Sequence, residues 1–312
     1  MDNYIVADIG GTHIRVALFS RGKIDPLKVR KIRTRDKDQT PLERLISLIK
    51  EVWAEKDDVR AICVAVPGFI DAENGIIIDA NNIPGWVNYP IRQLLAEHFS
   101  IPILIGNDAN LAALGEWRYG AGQGHHHVLY LTISTGIGGG MIINDQLLIG
   151  SRGLAAEFGH ITVIPEGPSC SCGQRGHLEA VASGTAIARW VQEKMALGFR
   201  SSLEGKPGIS AKDVAEAARQ GDELALRAMN RAGTYIGYAI ADFLHLFNPS
   251  IVILGGGVST SGPLLIDPLR TAVMERIMDR AYIKDLTITA AHLGDNAGLV
   301  GALALAESGV DP

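Results

Sequence analysis

The chain has 312 residues, 47% hydrophobic and 20% charged, with three cysteines and a formal net charge of -5. Its length exceeds the range in which one hydrophobic core keeps growing and predicts two domains, while the acidic balance excludes general nucleic-acid binding, which needs a basic face. The start, MDNYIVADIGG, has neither the basic region nor the apolar run of a secretory signal, and no stretch of about 18 apolar residues offers a membrane span, so a cytoplasmic protein is expected.

Residues 4–9 are apolar and β-prone, Gly10-Gly11-Thr12 interrupts them, and 14–19 resume the pattern: strand, glycine turn, strand. The turn is either an ordinary hairpin or a concavity of backbone N–H groups and the Thr12 hydroxyl that suits a phosphate, with Asp8 beside an accompanying Mg²⁺. Helical spacing follows over 42–53. A buried strand over 61–66 holds Cys63, a small buried hydrophobe, and ends at Pro67-Gly68. A short strand over 76–78, a turn over 81–86, a helix over 91–99 and a strand over 101–105 lead to a helix over 108–117, introduced by Asn107 and Asp108. Asp108 is there either an N-cap or a functional carboxylate. This alternation predicts α/β architecture.

A second apolar strand spans 128–134, Thr135-Gly136-Ile137-Gly138-Gly139-Gly140 reads as a glycine-rich turn, and 141–143 continue as strand. Two strand–glycine-turn–strand units suggest one phosphate-binding device per domain. Neither contains GxxxxGK[ST] or GxGxxG, so a nucleotide would be held in some other way. The histidines at 125–127 read as the head of a strand rather than a metal site. Helices are expected over 180–195, 210–220 with a Ser210 cap, 223–247, 263–278 and 296–307. Strands are expected over 250–254 and 286–290, the first followed by Gly255-Gly256-Gly257.

The densest chemistry lies in 157–179, EFGHITVIPEGPSCSCGQRGHLE. His160, Cys170, Cys172 and His177 form a nitrogen and sulfur set of the kind zinc prefers, flanked by Glu157 and Glu179. The alternative is a surface loop with two ordinary thiols, since Cys-x-Cys is tighter than the usual spacing. A Cys170–Cys172 disulfide would be strained and has no oxidising compartment to favour it.

In order, DIGGTHIRVALF (8–19), VPGFID (66–71), NIPGW (82–86), GNDANLAALGEW (106–117), TISTGIGGGMI (132–142), GLAAEFGHITV (153–163), CSCGQRGHLEAVASG (170–184) and LGGGVS (254–259) resemble the motifs of the ROK family of sugar kinases and sugar-responsive repressors. The resemblance implies an actin-like (ribonuclease H-like) two-domain ATPase fold of the α/β class, with nucleotide and sugar in the interdomain cleft. The smaller domain would comprise 1–107 plus 296–312 and the larger 108–295. It further implies ATP-dependent phosphorylation of a hexose at its 6-hydroxyl, glucose first, with N-acetylmannosamine, N-acetylglucosamine, fructose or allose as alternatives. Asp108 would be the catalytic base, and Gly68, Asn82, Asn107, Asp108, Glu157, His160 and Glu179 would contact the sugar. Asp8, Gly10, Gly11, Thr12, Thr135, Gly136, Gly138, Gly139, Gly255, Gly256 and Gly257 would serve ATP and Mg²⁺. His160, Cys170 and Cys172 would hold a structural Zn²⁺ with His177 in place of the usual fourth cysteine, and a homodimer is expected. Further departures are His13 for a common lysine and Ala156 for a common glycine. The family's repressors carry a helix-turn-helix ahead of the sugar-binding core; here the first strand begins at Tyr4, which favours the kinase.

Overall fold

Two five-stranded sheets of the same pattern organise the chain in the computed structural model, which describes residues 2–53, 58–80 and 82–310. Strands β1 (Asn3–Ile9), β2 (His13–Ser20) and β3 (Lys28–Arg33) are antiparallel neighbours. Helix α1 (Pro41–Val52), started by a Thr40–Glu43 capping box, precedes β4 (Val59–Val66). A small antiparallel sheet of β5 (Phe69–Asp71), β6 (Ile76–Asp79) and β7 (Val87–Tyr89) follows, then α2 (Ile91–Ala96) and β8 (Ile103–Asn107). The first sheet has the order β3-β2-β1-β4-β8, its last three strands parallel.

Helix α3 (Asp108–Tyr119) leads to β9 (His127–Ile133), β10 (Ile137–Ile143) and β11 (Gln146–Leu147). The helices α4 (Leu178–Ala182), α5 (Gly184–Ala196), α6 (Ala211–Arg219) and α7 (Glu223–Phe247) precede β12 (Ile251–Gly255). Then come α8 (Pro263–Arg276), β13 (Thr287–Ala290) and α9 (Ala297–Val310). The order β11-β10-β9-β12-β13 repeats the first sheet's plan of an antiparallel triple extended by parallel strands.

Burial follows that duplication. Ile5, Ile14, Val64, Leu45 and Ile49 pack between the first sheet and α1, while Leu131, Met141, Phe158 and Phe243 pack between the second sheet and α7. A third core, with Val6, the fully buried Cys63, Leu111, Ile253 and Leu303, fills the space around α3 and α9 and joins both sheets. These two helices cross closely: a Cβ on Gly115 would lie 2.8 Å from the Gly301 nitrogen, and one on Gly301 would lie 1.7 Å from the Leu111 carbonyl oxygen.

Several expectations need correction. Residues 137–140 are strand β10 rather than turn, because their glycines let α3 and Phe158 lie directly on the backbone: Cβ atoms at 138, 139 and 140 would sit 3.1, 2.8 and 2.6 Å from Ala109, Phe158 and Ala113 side-chain carbons. The helix expected over 180–195 is broken at Ser183, whose extended backbone ends α4 and whose side chain caps α5 through the Ala186 N–H. The α2 helix stops at Ala96, short of 99. Asn107, not Asp108, caps α3, accepting from Ala109 N and Asn110 N at 3.0 Å each. β3, β5, β7 and β11 lack the apolar alternation that would announce them. Asn81, at the start of the expected 81–86 turn, lies outside the described residues.

Candidate active site

A cleft of about 1120 Å³ lies between the two sheets at the ends of β1 and β8 and the starts of α3, β10 and α4. Its walls include Asp8, Gly68, Asn82, Asn107, Asp108, Thr135, Gly136, Gly138, Gly139, Glu157, His160, Cys170, Glu179 and Gly255–Gly257. Sequence positions far apart thus converge on one space. Gly10, Gly11 and Thr12 are not part of that wall; Gly11 instead backs onto Asn82, where a Cβ would stand 3.1 Å from the Asn82 Cβ.

Asp108 occupies the first turn of α3, and because Asn107 does the capping, its carboxyl is directed to the cleft with Ala109 N donating to one oxygen at 2.8 Å. Burial raises its pKa to about 7, with the charges of Asp8 and Glu157 adding to the effect. A carboxyl poised there exchanges a proton near neutrality, which is what a general base needs. Asn107 spends its other end on Gly68, donating from Nδ2 to the carbonyl oxygen at 3.0 Å, so the end of β8 is tied to the start of β5.

Glu157 precedes the short helical turn at Phe158–His160 and is held above the usual carboxylate range by burial, with Glu179 adding and His160 opposing. Glu179, in the first turn of α4, accepts from Ile137 N and from the Ser171 hydroxyl at 3.0 Å each. It reaches β10 only because residue 136 is glycine: a Cβ there would lie 2.3 Å from Glu179 Oε2. Glu179 therefore fastens the cysteine loop to the strand that borders the cleft.

The four sulfur and nitrogen groups converge. His160 Nδ1 lies 3.4 Å from His177 Nδ1 and 3.6 Å from Cys170 Sγ, and Cys172 Sγ lies 3.3 Å from His177 Nδ1. All four candidate ligand atoms fall within 4.8 Å of one another. A tetrahedral zinc with about 2.05 Å to nitrogen and about 2.3 Å to sulfur sets its nitrogens about 3.4 Å apart and nitrogen to sulfur about 3.5 Å apart. The residues fit that ion. His177, nine-tenths buried, is kept below the usual histidine range by burial and by His160, a shift that favours the neutral form that can ligate a metal. His160 Nε2 points away from the cluster, 4.0 Å from Glu157 Oε2. By contrast, His125 and His126 bond Ser250 and Asp145 through Nδ1, and the 125–127 run joins no metal-ligand cluster among the described residues.

Sequence reasoning missed Arg15. It lies opposite Asp8 in the β1–β2 register, lines the cleft and pairs with the Asp8 carboxylate. The available signal was geometric: a hairpin turning at 10–12 places residues 8 and 15 side by side on one face.

The paired sheets, the helices α3 and α9 between them and the acidic cleft define a two-domain actin-like α/β protein of the sugar-kinase class. The ROK family profile matches residues 4–308, and the chain belongs to the ROK family. It is 40% identical over 306 residues to a glucokinase of Thermotoga maritima, covering 96% of each chain. A ROK family glucokinase from Streptomyces griseus, solved in complex with glucose and AMPPNP, superposes with a TM-score of 0.82 at 36% identity, covering 98% of this chain and 99% of that one. A ROK family transcriptional regulator homologous to the E. coli MLC protein gives a TM-score of 0.90 at 28% identity, covering 99% of this chain and 79% of the regulator.

Proposed function

We propose that this protein is an ATP-dependent glucokinase that phosphorylates the 6-hydroxyl of glucose. The observation that carries this reading is Asp108: a recessed carboxyl, freed from capping by Asn107 and raised to about 7, facing the same cleft as the glycine strand β10 and the Glu157–His160–Glu179 wall. Relatives named as glucokinases at 40% and 38% identity over nearly the whole chain support it, as does the Streptomyces griseus enzyme with glucose bound.

Asn82, Asn107, Glu157, His160 and Glu179, with the Gly68 segment, hold the sugar so that its 6-hydroxyl reaches Asp108, which accepts the proton as the oxygen attacks the γ-phosphorus. Backbone N–H groups near Thr135–Gly139 face the phosphates, the Gly10–Thr12 turn closes the hairpin that presents Asp8 to them, and Gly255–Gly257 border the adenosine. The hard oxygens of Asp8 suit Mg²⁺, which when bound neutralises phosphate charge. His160, Cys170, Cys172 and His177 hold a structural zinc that locks the tautomer of His160 and leaves its Nε2 for substrate. The domains divide as 1–107 plus 296–312 and 108–295, and the protein works in the cytoplasm as a homodimer. Among the described residues no helix is long and apolar enough to cross a membrane.

Two measurements test this. Glucose-dependent ADP release should appear in the unaltered protein and vanish in Asp108→Asn while glucose still binds; sugar-independent ADP release would sink the reading. Zinc analysis should give one ion per chain, reduced in His177→Ala; unchanged content in that variant would remove His177 from the ligand set.

A further inference from the structure

Arg15 has a place in the cleft and no role in the scheme above. Its side chain is 20% exposed and that of Asp8 21%, so the pair is recessed from bulk water. Both Nε, at 3.2 Å, and Nη2 of Arg15 donate to a single oxygen, Oδ2 of Asp8. Among the described residues, neither Nη1 of Arg15 nor Oδ1 of Asp8 has a hydrogen-bond partner. One carboxylate oxygen is thus left for a cation and one guanidinium edge for an anion.

The charge around the pair says which anion. Asp8, Asp108 and Glu157 make this part of the cleft negative, and they influence one another, since Asp8 and Glu157 both push up the Asp108 carboxyl. A phosphate chain entering here meets repulsion that fixed cations must offset. Of the two arginines on the cleft wall, Arg189 is committed to α4 and α5, donating from Nη2 to the Ala180 carbonyl oxygen at 2.6 Å and pairing with Glu193 at 3.7 Å. Arg15 is the one paired with Asp8, whose charge acts on the base. Its planar fork matches phosphate oxygens in a way no ammonium does.

We propose that Arg15 is a catalytic cation whose free Nη1 edge binds an oxygen of the phosphoryl group in transfer, while its other edge holds Asp8 so that Oδ1 remains open to a divalent ion. The proposal rests on the sugar-kinase reading. In that reaction the bond from the sugar oxygen to phosphorus forms, the bond from phosphorus to the ADP oxygen breaks, and the hydroxyl proton passes to Asp108. Negative charge spreads over the transferring oxygens, and a guanidinium fixed beside them stabilises it without reorganisation.

The test compares Arg15→Gln and Arg15→Lys with the unaltered protein. With ATP, kcat should fall about 100-fold in Arg15→Gln and less in Arg15→Lys, with the KM for glucose within about twofold of the unaltered value. A second readout does not involve turnover. ADP with aluminium fluoride and glucose should raise the melting temperature of the unaltered protein well beyond ADP and glucose alone, and Arg15→Gln should lose that increment while keeping the ADP part. Unaltered kcat in Arg15→Gln, or equal loss of the ADP and aluminium fluoride increments, would overturn the proposal, because Arg15 would then merely place Asp8. Absence of glucose-dependent ADP release in the unaltered protein would overturn the kinase reading and the role of Arg15 together, whereas a defect confined to the variants separates them.

Discussion

Asp108 sets a functional carboxyl against stability. Its pKa, raised to about 7 from 3.8 mainly by burial, means that the folded protein retains a proton that the unfolded chain gives up as pH climbs from about 4. The favourable contribution is therefore complete below the unfolded value and is lost as pH rises through about 7. Asp108→Asn should accordingly melt a few degrees higher than the unaltered protein at pH 8, with the gap closing toward pH 4, even as turnover disappears. An equal gap at both pH values would show that burial of the carboxylate is not the cause. The same titration predicts that kcat/KM for glucose climbs with pH to a plateau above about 7. Ala156 carries a second, smaller cost: its φ of 67° is left-handed, a conformation that charges a Cβ roughly 1–2 kcal/mol. The sequence marks Ala156 as a departure from glycine, yet the strain is legible only in the backbone. Ala156→Gly should raise unfolding free energy by up to about 1 kcal/mol in urea titrations, net of the added chain entropy.

At the scale of elements, what could be read from the chain depended on whether the deciding contact was local. The helix over 223–247 carries its own signals, an Asp222 side chain accepting from Ala225 N at 2.8 Å and a left-handed Asn248 at its end, and its bounds follow from them. The strand over 137–143 does not: its glycines answer to α3 and Phe158, which are distant in sequence, so local rules read them as a turn. Arg15 escaped for the same reason, its meaning residing in a cross-strand neighbour. The chemistry-bearing side chains of 157–179 were legible as a set, but not the anchoring of their loop to β10, where Glu179 accepts from Ile137 N. Glu116 is another residue whose importance is invisible in one dimension. Fully buried on α3, it accepts from Ala121 N at 2.9 Å, His292 N at 3.1 Å and Leu293 N at 2.7 Å, tying the loop that leads into β9 and the loop that leaves β13 to the helix that begins with Asp108. Glu116→Gln retains the shape but turns an acceptor into a donor facing N–H groups. It should cost about 2–3 kcal/mol in denaturant unfolding, and a loss below about 0.5 kcal/mol would argue against the clamp.

For the whole molecule, the duplicated sheets place Asp8 and Asn107 on one half and β10, Glu157 and Glu179 on the other, so every group of the cleft depends on how α3 and α9 cross between them. The crossing is set by backbone contact at Gly115 and Gly301, with no side chain between, and such contact permits a small change of angle with little repacking. A methyl at 301 would stand 1.7 Å from the Leu111 carbonyl oxygen, three residues along α3 from Asp108, and could be accommodated only by separating the helices. Overpacking of this kind costs about 1–3 kcal/mol. Its effect on function should exceed that cost, because the wedge acts on the relative position of the base and Asp8. Small-angle scattering of the unaltered protein should register a smaller radius of gyration when glucose and AMPPNP are both added, as the cleft narrows. In Gly301→Ala that contraction should shrink and kcat should fall by about an order of magnitude, with the KM values for glucose and ATP rising together. Full contraction with unchanged kinetics in this variant would mean that the two halves meet through some route other than the α3–α9 crossing.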